Sequence, residues 1–212
     1  MNKLVPKRCI NIQLLQPGDI VLTSAKGLMS KIVRWASCGI VSHAMICVQH
    51  SSVIDSTFLG VHARNIQREI FGPSEQVFVL RLREPLSPEQ LAAIVEFARS
   101  KVGTRYSVLE AVRSVAGIMS PRTQQLFCSR LVARAYASVG FNLVPDSDYC
   151  TPEALRLSPQ LTELFNMTES VSQDDLVALE KQKNGTTKCR RHRTWCSNRC
   201  VSLDIRWKIS TM

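Results

Sequence analysis

The chain has 212 residues, of which 45% are hydrophobic and 21% charged, a composition typical of a globular protein with one sizeable core. No stretch is long and apolar enough for a transmembrane helix, and the N-terminus lacks the apolar run and cleavage site of a secretory signal. These features exclude a membrane-spanning protein, and we expect a cytoplasmic one, with membrane-peripheral attachment or delivery as an effector as alternatives. The net charge of +10 arises mainly from residues 181–212, with nine Lys and Arg side chains against Asp204.

The predicted strands lie mainly in the first half of the chain. Each is a short run of β-branched and apolar residues beside a turn signal, such as the Pro-Gly-Asp turn that ends at Asp19. Helical spacing of apolar residues interrupts them at residues 28–39. The strands are predicted at residues 18–24, 42–49, 52–57, 60–67 and 76–82.

Three further helices are predicted in the second half. Ser87 is followed by proline and, at Gln90, by a capping-box glutamine, so a helix should begin there and end at Gly103. Residues 106–119 form the next helix, and the last follows Cys128. Strands that are neighbours in sequence, followed by helices, predict an α+β fold with an antiparallel sheet. The periodicity fades near residue 170, which predicts a domain at residues 1–170 and a basic, cysteine-containing tail at residues 171–212.

Cys128 is the candidate nucleophile. We expect it in the first turn of its helix, where backbone N–H groups and the helix dipole favour a thiolate and where its own N–H could hold an oxyanion. Such a thiol requires a base. Among the four histidines, His43 is best placed, because it begins an apolar strand.

Asp55 is the candidate orienting acid, since it is the acid of the otherwise apolar strand beside His43. The two residues share a face only if the hairpin pairs odd-numbered residues with odd-numbered ones, which a strict two-residue turn does not allow. The alternatives stay open at this point: Cys128 as an inert buried thiol, His43 as a structural histidine and Asp55 as a turn cap.

An ordered set of short segments carries a resemblance to a known family. QPGDIVLTS, VSHAMICV, VIDST, KVGTRYS, FCSRLVARAY and CTPEAL resemble, in this order, the YiiX/YebB-like branch of the NlpC-type cysteine hydrolases. In that branch the papain-like fold is circularly permuted, so that histidine precedes cysteine. The resemblance covers residues 14–160 and implies a permuted papain-like fold.

The resemblance also implies roles for site residues. It makes Cys128 the nucleophile, His43 the base and Asp55 the acid that orients the imidazole, although relatives more often carry a glutamate near Asp55. Tyr106 matches a tyrosine that lies beside the site in relatives, and a purely structural tyrosine is the alternative. Ser42 and Ser129 are expected to line the substrate pocket as neighbours of the catalytic pair. No cofactor is expected.

The C-terminal tail carries two weaker signals. Its four potential zinc ligands are spaced too closely for the common zinc modules, so we expect no metal there; they are Cys189, His192, Cys196 and Cys200. Trp195 and Trp207 lie among the cations of residues 181–212, which favours contact with an anionic membrane surface or an acidic partner over nucleic acid.

Three functions fit these observations. The first is a cysteine hydrolase that cleaves an amide bond of a peptide or isopeptide, of the kind found in cell walls, through a thioester acyl-enzyme. The second is a lipid acylhydrolase or acyltransferase of the same fold, towards which the basic, tryptophan-containing tail leans. The third is a binding module without catalytic activity.

Overall fold

The computed structural model describes residues 7–24, 39–57, 60–104, 121–172 and 176. The helix predicted at residues 106–119 lies outside them, as does the one predicted at residues 28–39 except for its last residue. Within the described residues, the predicted strands and the helix that begins after Ser87 are all present. The predicted α+β fold is confirmed.

Eight strands are described. They are β1 (Arg8–Ile10), β2 (Ile20–Thr23), β3 (His43–Gln49), β4 (Ser52–Thr57), β5 (Gly60–Asn65), β6 (Val77–Leu82), β7 (Leu161–Leu164) and β8 (Thr168–Ser170). Among the described residues, six of them form an antiparallel sheet in the order β5-β4-β3-β2-β6-β7, and β1 pairs with β8 in a second sheet. Strand β3 therefore lies inside the main sheet, between β2 and β4.

Three α-helices are described: α1 (Pro88–Ser100), α2 (Pro121–Ala137) and α3 (Pro152–Arg156). Short 3-10 helices are present at Ile66–Arg68 and Ser147–Tyr149. The capping box predicted for α1 is formed, because the Gln90 N–H donates to Ser87 Oγ at 3.2 Å and the Ser87 N–H donates to Gln90 Oε1 at 2.9 Å. The turn that follows α1 contains Gly103, whose φ of +82° suits glycine.

The predicted position of Cys128 within its helix is wrong. Helix α2 begins at Pro121, so Cys128 is its eighth residue, about two turns from the N-terminus. An N–H at that depth belongs to the internal ladder of the helix and is donated to the carbonyl four residues earlier. The first-turn dipole and the Cys128 N–H therefore do not provide the thiolate stabilisation and the oxyanion donor that the sequence led us to expect.

The main sheet is buried on both faces. Alternate residues of β3, such as Ala44 and Ile46, pack on one side against apolar residues of α2, including Leu131 and Tyr136. The residues between them, including Met45, pack on the other side in a second cluster. Helix α2 thus covers one face of β3, while His43 belongs by alternation to the opposite face.

A β-bulge sets the register of the hairpin formed by β3 and β4. Next to the turn, Gln49 pairs with Ser52, but farther along the strands Cys47 pairs with Val53. The extra residue, Val48, changes the pairing from odd-with-even to odd-with-odd. Had the turn register continued, Asp55 would share a face with the even-numbered residues of β3, away from His43. The bulge resolves the register question that the sequence left open.

A buried ion pair joins β2 to β6. Asp19, which is fully buried just before β2, accepts hydrogen bonds from Arg81 Nε at 2.6 Å and Arg81 Nη2 at 2.8 Å. Its Oδ2 also accepts from the Gln16 N–H at 2.8 Å. The Tyr136 hydroxyl donates to the carbonyl of Gly18, which ties α2 to the same corner. Burial, together with the charge of Asp19, raises the pKa of the Cys47 thiol to about 12.

The predicted division of the chain at residue 170 stays a prediction. Contacts group Met1–Val171 into one compact unit, and the remainder, Ser172–Met212, lies almost wholly outside the described residues. The basic segment at residues 181–212 and its four potential zinc ligands lie outside them completely. In the described ranges, none of the helices is both long and apolar enough to cross a lipid bilayer.

Candidate active site

His43 and Asp55 form a hydrogen-bonded pair on one face of the sheet. His43 Nε2 lies 2.8 Å from Asp55 Oδ2, with side-chain exposures of 22% for His43 and 0% for Asp55. Because Asp55 pairs with Met45 across the hairpin, His43 is its diagonal neighbour on the same face, a spacing that a histidine can bridge. The structure therefore brings together two of the three residues that the sequence singled out.

Cys128 is the third, and it contacts the imidazole from α2. Cys128 is 2% exposed, and its side chain is hydrogen-bonded to His43. Since His43 Nε2 is occupied by Asp55, Nδ1 is the ring nitrogen left for the sulfur. The two residues can meet although α2 packs on the opposite face of β3, because His43 is the first residue of its strand and stands at the end of the sheet.

His43 is strongly basic in this setting. Burial by itself lowers its pKa, but the negative charge on Cys128, the hydrogen bonds to Asp55 and Cys128, and the charge on Asp55 together raise the pKa to about 10. At neutral pH the ring is therefore protonated beside the sulfur of Cys128. An imidazolium between a carboxylate and a sulfur can stabilise a thiolate and can later donate its proton.

Arg64 approaches the second oxygen of Asp55. Its Nε lies 3.2 Å from Asp55 Oδ1, and its Nη1 lies 3.7 Å from Glu69 Oε1. On β5, His62 pairs directly with Asp55, and Arg64 follows two residues later on the same face. Sequence reasoning missed Arg64. The signal that could have found it is this two-residue spacing on the strand after Asp55.

A cleft of roughly 350 Å³ opens in front of His43 and Asp55. Among the residues that line it are four from the strands and the segment after β5, namely Thr57, Arg64, Glu69 and Glu75. Thr23 and Ser24, at the end of β2, complete its polar wall, and Phe71 contributes an apolar patch. The charged lining combines one arginine with several carboxylates, so the cleft suits a polar substrate.

The two serines predicted to line the substrate pocket are both hydrogen-bonded to backbone carbonyls. Ser42 donates its N–H to the Thr23 carbonyl at 2.9 Å, and its hydroxyl lies 3.4 Å from the same oxygen. Ser129 is fully buried and donates its hydroxyl to the Cys150 carbonyl at 2.5 Å. Neither borders the cleft described above. The roles of Ser42 and Ser129 beside the substrate stay predictions. Tyr106 lies outside the described residues.

The remaining candidate ligands and thiols do not form a second centre in the part of the chain that the structure describes. No group of three or more His, Cys, Asp and Glu side chains is arranged there to hold a metal ion. Cys150 is buried, and its burial raises the pKa of its thiol to about 12, with the charge on Cys128 contributing in the same direction.

Comparison with known proteins identifies the family. The model of the permuted papain-like amidase enzymes, the YaeF/YiiX or C92 family, matches residues 14–183. Over 93 residues the chain is 31% identical to the probable lipoprotein peptidase YaeF of Escherichia coli (strain K12), a match that spans 44% of this chain but only 33% of that protein. The solved structure of the metalloprotein yiiX from Escherichia coli O157:H7 is 17% identical, with a TM-score of 0.48 over 70% of this chain and 96% of that one. Since the family model covers well over half of the sequence, the chain belongs to the family of permuted papain-like amidases that includes YaeF and YiiX.

Proposed function

We propose that the protein is a cysteine hydrolase that cleaves an amide bond through a Cys128-His43-Asp55 triad. The single observation that carries this proposal is the position of the His43 ring, with Nε2 at 2.8 Å from Asp55 Oδ2 and its other side against Cys128. Membership of an amidase family supports hydrolysis of an amide.

The proposed acylation step begins from a Cys128 thiolate beside a protonated His43. The sulfur attacks the carbonyl carbon of the substrate, and the electron pair of the carbonyl moves to its oxygen. When the tetrahedral intermediate collapses, the carbon–nitrogen bond breaks and His43 donates its proton to the leaving amine. The products of this step are a free amine and a thioester between the acyl group and Cys128.

Deacylation reverses the roles of the same groups. The now neutral His43 removes a proton from a water molecule that attacks the thioester carbonyl. Collapse releases a carboxylic acid and restores the thiolate and the imidazolium. Through both steps Asp55 accepts the Nε2–H of His43, which keeps Nδ1 directed at the sulfur and stabilises the positive charge on the ring.

A peptide or isopeptide, including one from a cell wall, is the proposed substrate class. The family's description as amidases and the relative named as a peptidase favour a peptide. The alternative of a lipid ester rests on residues 181–212 and gains no support from the comparisons. The alternative of a binding module leaves the contacts of Asp55 with His43 and of His43 with Cys128 unexplained, because binding alone does not require them.

The proposal is tested by trapping the acyl-enzyme. The protein is incubated with a mixture of peptides and cell-wall fragments, quenched in acid and examined by mass spectrometry. We expect an added acyl mass on the peptide that contains Cys128, and we expect it to disappear in Cys128→Ala.

Cys47→Ala is the matched control, since Cys47 is also a buried cysteine next to a buried aspartate. The adduct should remain in this variant. Hydrolysis that persists in Cys128→Ala, or an adduct on another cysteine, would contradict the triad.

A further inference from the structure

Asp55 is a fully buried carboxylate, and only one of its two oxygens is accounted for by His43. Oδ2 is used by His43, but within the described ranges Oδ1 has no aligned hydrogen-bond donor. A buried carboxylate is costly unless each oxygen meets a donor or a cation. Arg64 Nε, at 3.2 Å, is the cation that meets Oδ1.

The backbone fixes where this cation stands. Arg64 pairs with Val53 on the neighbouring strand, so it is the diagonal neighbour of Asp55 on the side away from His43. On the side away from Asp55, the guanidinium forms an ion pair with Glu69, whose Oε1 lies 3.7 Å from Arg64 Nη1. Asp55 thus lies between two cations, with His43 at Oδ2 and Arg64 at Oδ1. The carboxylate cannot rotate without leaving one of them.

We propose that Arg64 is a positioning residue of the site, which holds the Asp55 carboxylate in the orientation that accepts the Nε2–H of His43 and so directs the imidazole at Cys128. This proposal rests on the proposed cysteine-hydrolase function. It extends the Cys-His-Asp set by a fourth residue that does not touch the reacting atoms.

Removing Arg64 should have two effects of opposite sign on the pKa of His43, so the direction of the change tests the positioning role. The charged groups that face His43 are Asp55 from β4 and Cys128 from α2, with Arg64, Glu69 and Glu75 around the cleft. By Coulomb's law alone, loss of the Arg64 charge would raise the pKa of His43 slightly. Loss of a correctly held Asp55 lowers it, because the hydrogen bond from Asp55 is one of the contributions that raise it.

The experiment is an NMR titration of the His43 ring in the full chain, with the signals assigned from the spectrum of His43→Gln. In Arg64→Gln the pKa of His43 should fall by roughly one unit, and kcat should fall about tenfold with little change in KM. Arg64→Lys, which retains the charge without the planar fork, should recover part of both effects. The NMR result needs no substrate.

Arg68→Gln is the matched control, because it removes the same charge at a position four residues after Arg64. The Arg68 side chain is exposed and makes no ion pair with the described residues. It should leave the titration and the rates as in the wild type. An unchanged or raised pKa of His43 in Arg64→Gln would overturn the proposal, and so would a rise in KM alone, which indicates contact with substrate.

The outcomes separate the two proposals. If Cys128→Ala keeps full activity, the triad fails, while the titration still decides the role of Arg64. If Cys128→Ala is inactive but Arg64→Gln titrates and turns over like the wild type, only the inference on Arg64 fails. If Arg64→Gln does not fold, Arg64→Lys tests the planar fork alone, because it keeps the charge: a partial fall in the pKa of His43 and in kcat supports the proposal, and wild-type values of both overturn it.

Discussion

Asp19 and Asp55 are two buried carboxylates with similar surroundings and different chemistry. Each is fully buried at the main sheet, each is paired with a cationic side chain and each has a cysteine nearby. Beside Asp19 the carboxylate acts directly on the Cys47 thiol and, with burial, raises its pKa to about 12. Beside Asp55 an imidazole lies between the carboxylate and Cys128. The two sites therefore differ in whether an imidazole separates the carboxylate from the sulfur.

The partners of the two carboxylates also differ in what they can do. Arg81 binds both oxygens of Asp19 and keeps its proton at any accessible pH, so that pair can only hold β2 and β6 together. His43, by contrast, is an imidazolium that can donate its proton to another group. The comparison predicts a structural role for Asp19 and a chemical role for Asp55.

Exchanging each aspartate for asparagine tests this difference most strongly. Asp55→Asn should reduce the hydrolysis rate by roughly 10²–10⁴-fold, because the amide no longer stabilises the imidazolium or fixes its orientation. Asp19→Asn should lower the free energy of unfolding by about 3 kcal/mol, because it leaves Arg81 unpaired at a mostly buried corner. Steady-state kinetics and urea denaturation of both variants provide the measurements. If Asp19→Asn lost activity without losing stability, the two roles would have been assigned the wrong way round.

Thiol reactivity gives the next largest expected effect. In the folded protein at pH 7, iodoacetamide should alkylate Cys128 at least about 100-fold faster than Cys47, because a thiolate held by an imidazolium is the reactive form. The ratio should approach one in urea, and His43→Gln should slow the reaction of Cys128 alone. Peptide mapping by mass spectrometry reports both sites in one sample. Equal rates in the folded protein would mean that the imidazole does not activate the sulfur.

The pH dependence of stability should distinguish the two regions as well. The pKa of His43 is raised from 6.5 to about 10 by folding, so its protonated form stabilises the protein fully below about pH 6.5 and loses this effect as the pH rises through about 10. Between these values the wild type should lose stability more steeply than His43→Gln. Asp19→Asn, in contrast, should follow the slope of the wild type. Parallel curves for wild type and His43→Gln would contradict the raised pKa.

A smaller effect is expected where the chain enters β3. A Cβ added at Gly39 would lie 2.8 Å from Glu153 Cβ and Oε2, and that oxygen accepts the Ile40 N–H at 3.0 Å. Gly39→Ala should therefore displace the segment that leads to His43 and cost roughly 1–3 kcal/mol of stability, with a reduced hydrolysis rate. Gly140→Ala is the control: its φ of +93° makes it strained, but nothing lies within 4 Å of the added carbon. It should lower stability without changing the rate.

The local parts of the fold could be predicted because local chemistry specifies them. Ser87 with Gln90 specifies the start of α1, and alternation of apolar residues specifies β3 and β4. The start of α2 was missed, although the Ser-Pro pair at residues 120–121 repeats the signal found before α1. Strands β1, β7 and β8 were also missed, since each is short and is held by pairing with distant segments.

The site could be predicted only in part for the same reason. The residue types of His43, Asp55 and Cys128 are sufficient to suggest their roles from the sequence. The face of the sheet on which Asp55 lies depends on the bulge at Val48, and nothing in the sequence distinguishes this valine from any other valine in a strand. The burial of Ser129 and the approach of Arg64 depend on contacts across 21 residues and between strands. The contact of Ser129 leaves no local pattern in the chain, and the two-residue spacing from His62 to Arg64 points to Asp55 only once the pairing of β4 with β5 is known.

The bulge at Val48 ties the length of the hairpin to its chemistry. While the bulge is kept, adding or removing one residue between His43 and Asp55 reverses which side of the sheet the acid faces, whereas a change of two residues preserves it. Whether an insertion or deletion in this hairpin is tolerated therefore depends on whether it changes the length by an even or an odd number of residues, and not on how large it is. A lineage that shortened the turn by a single residue could stay active only by losing the bulge in the same event, so the two changes should be inherited together.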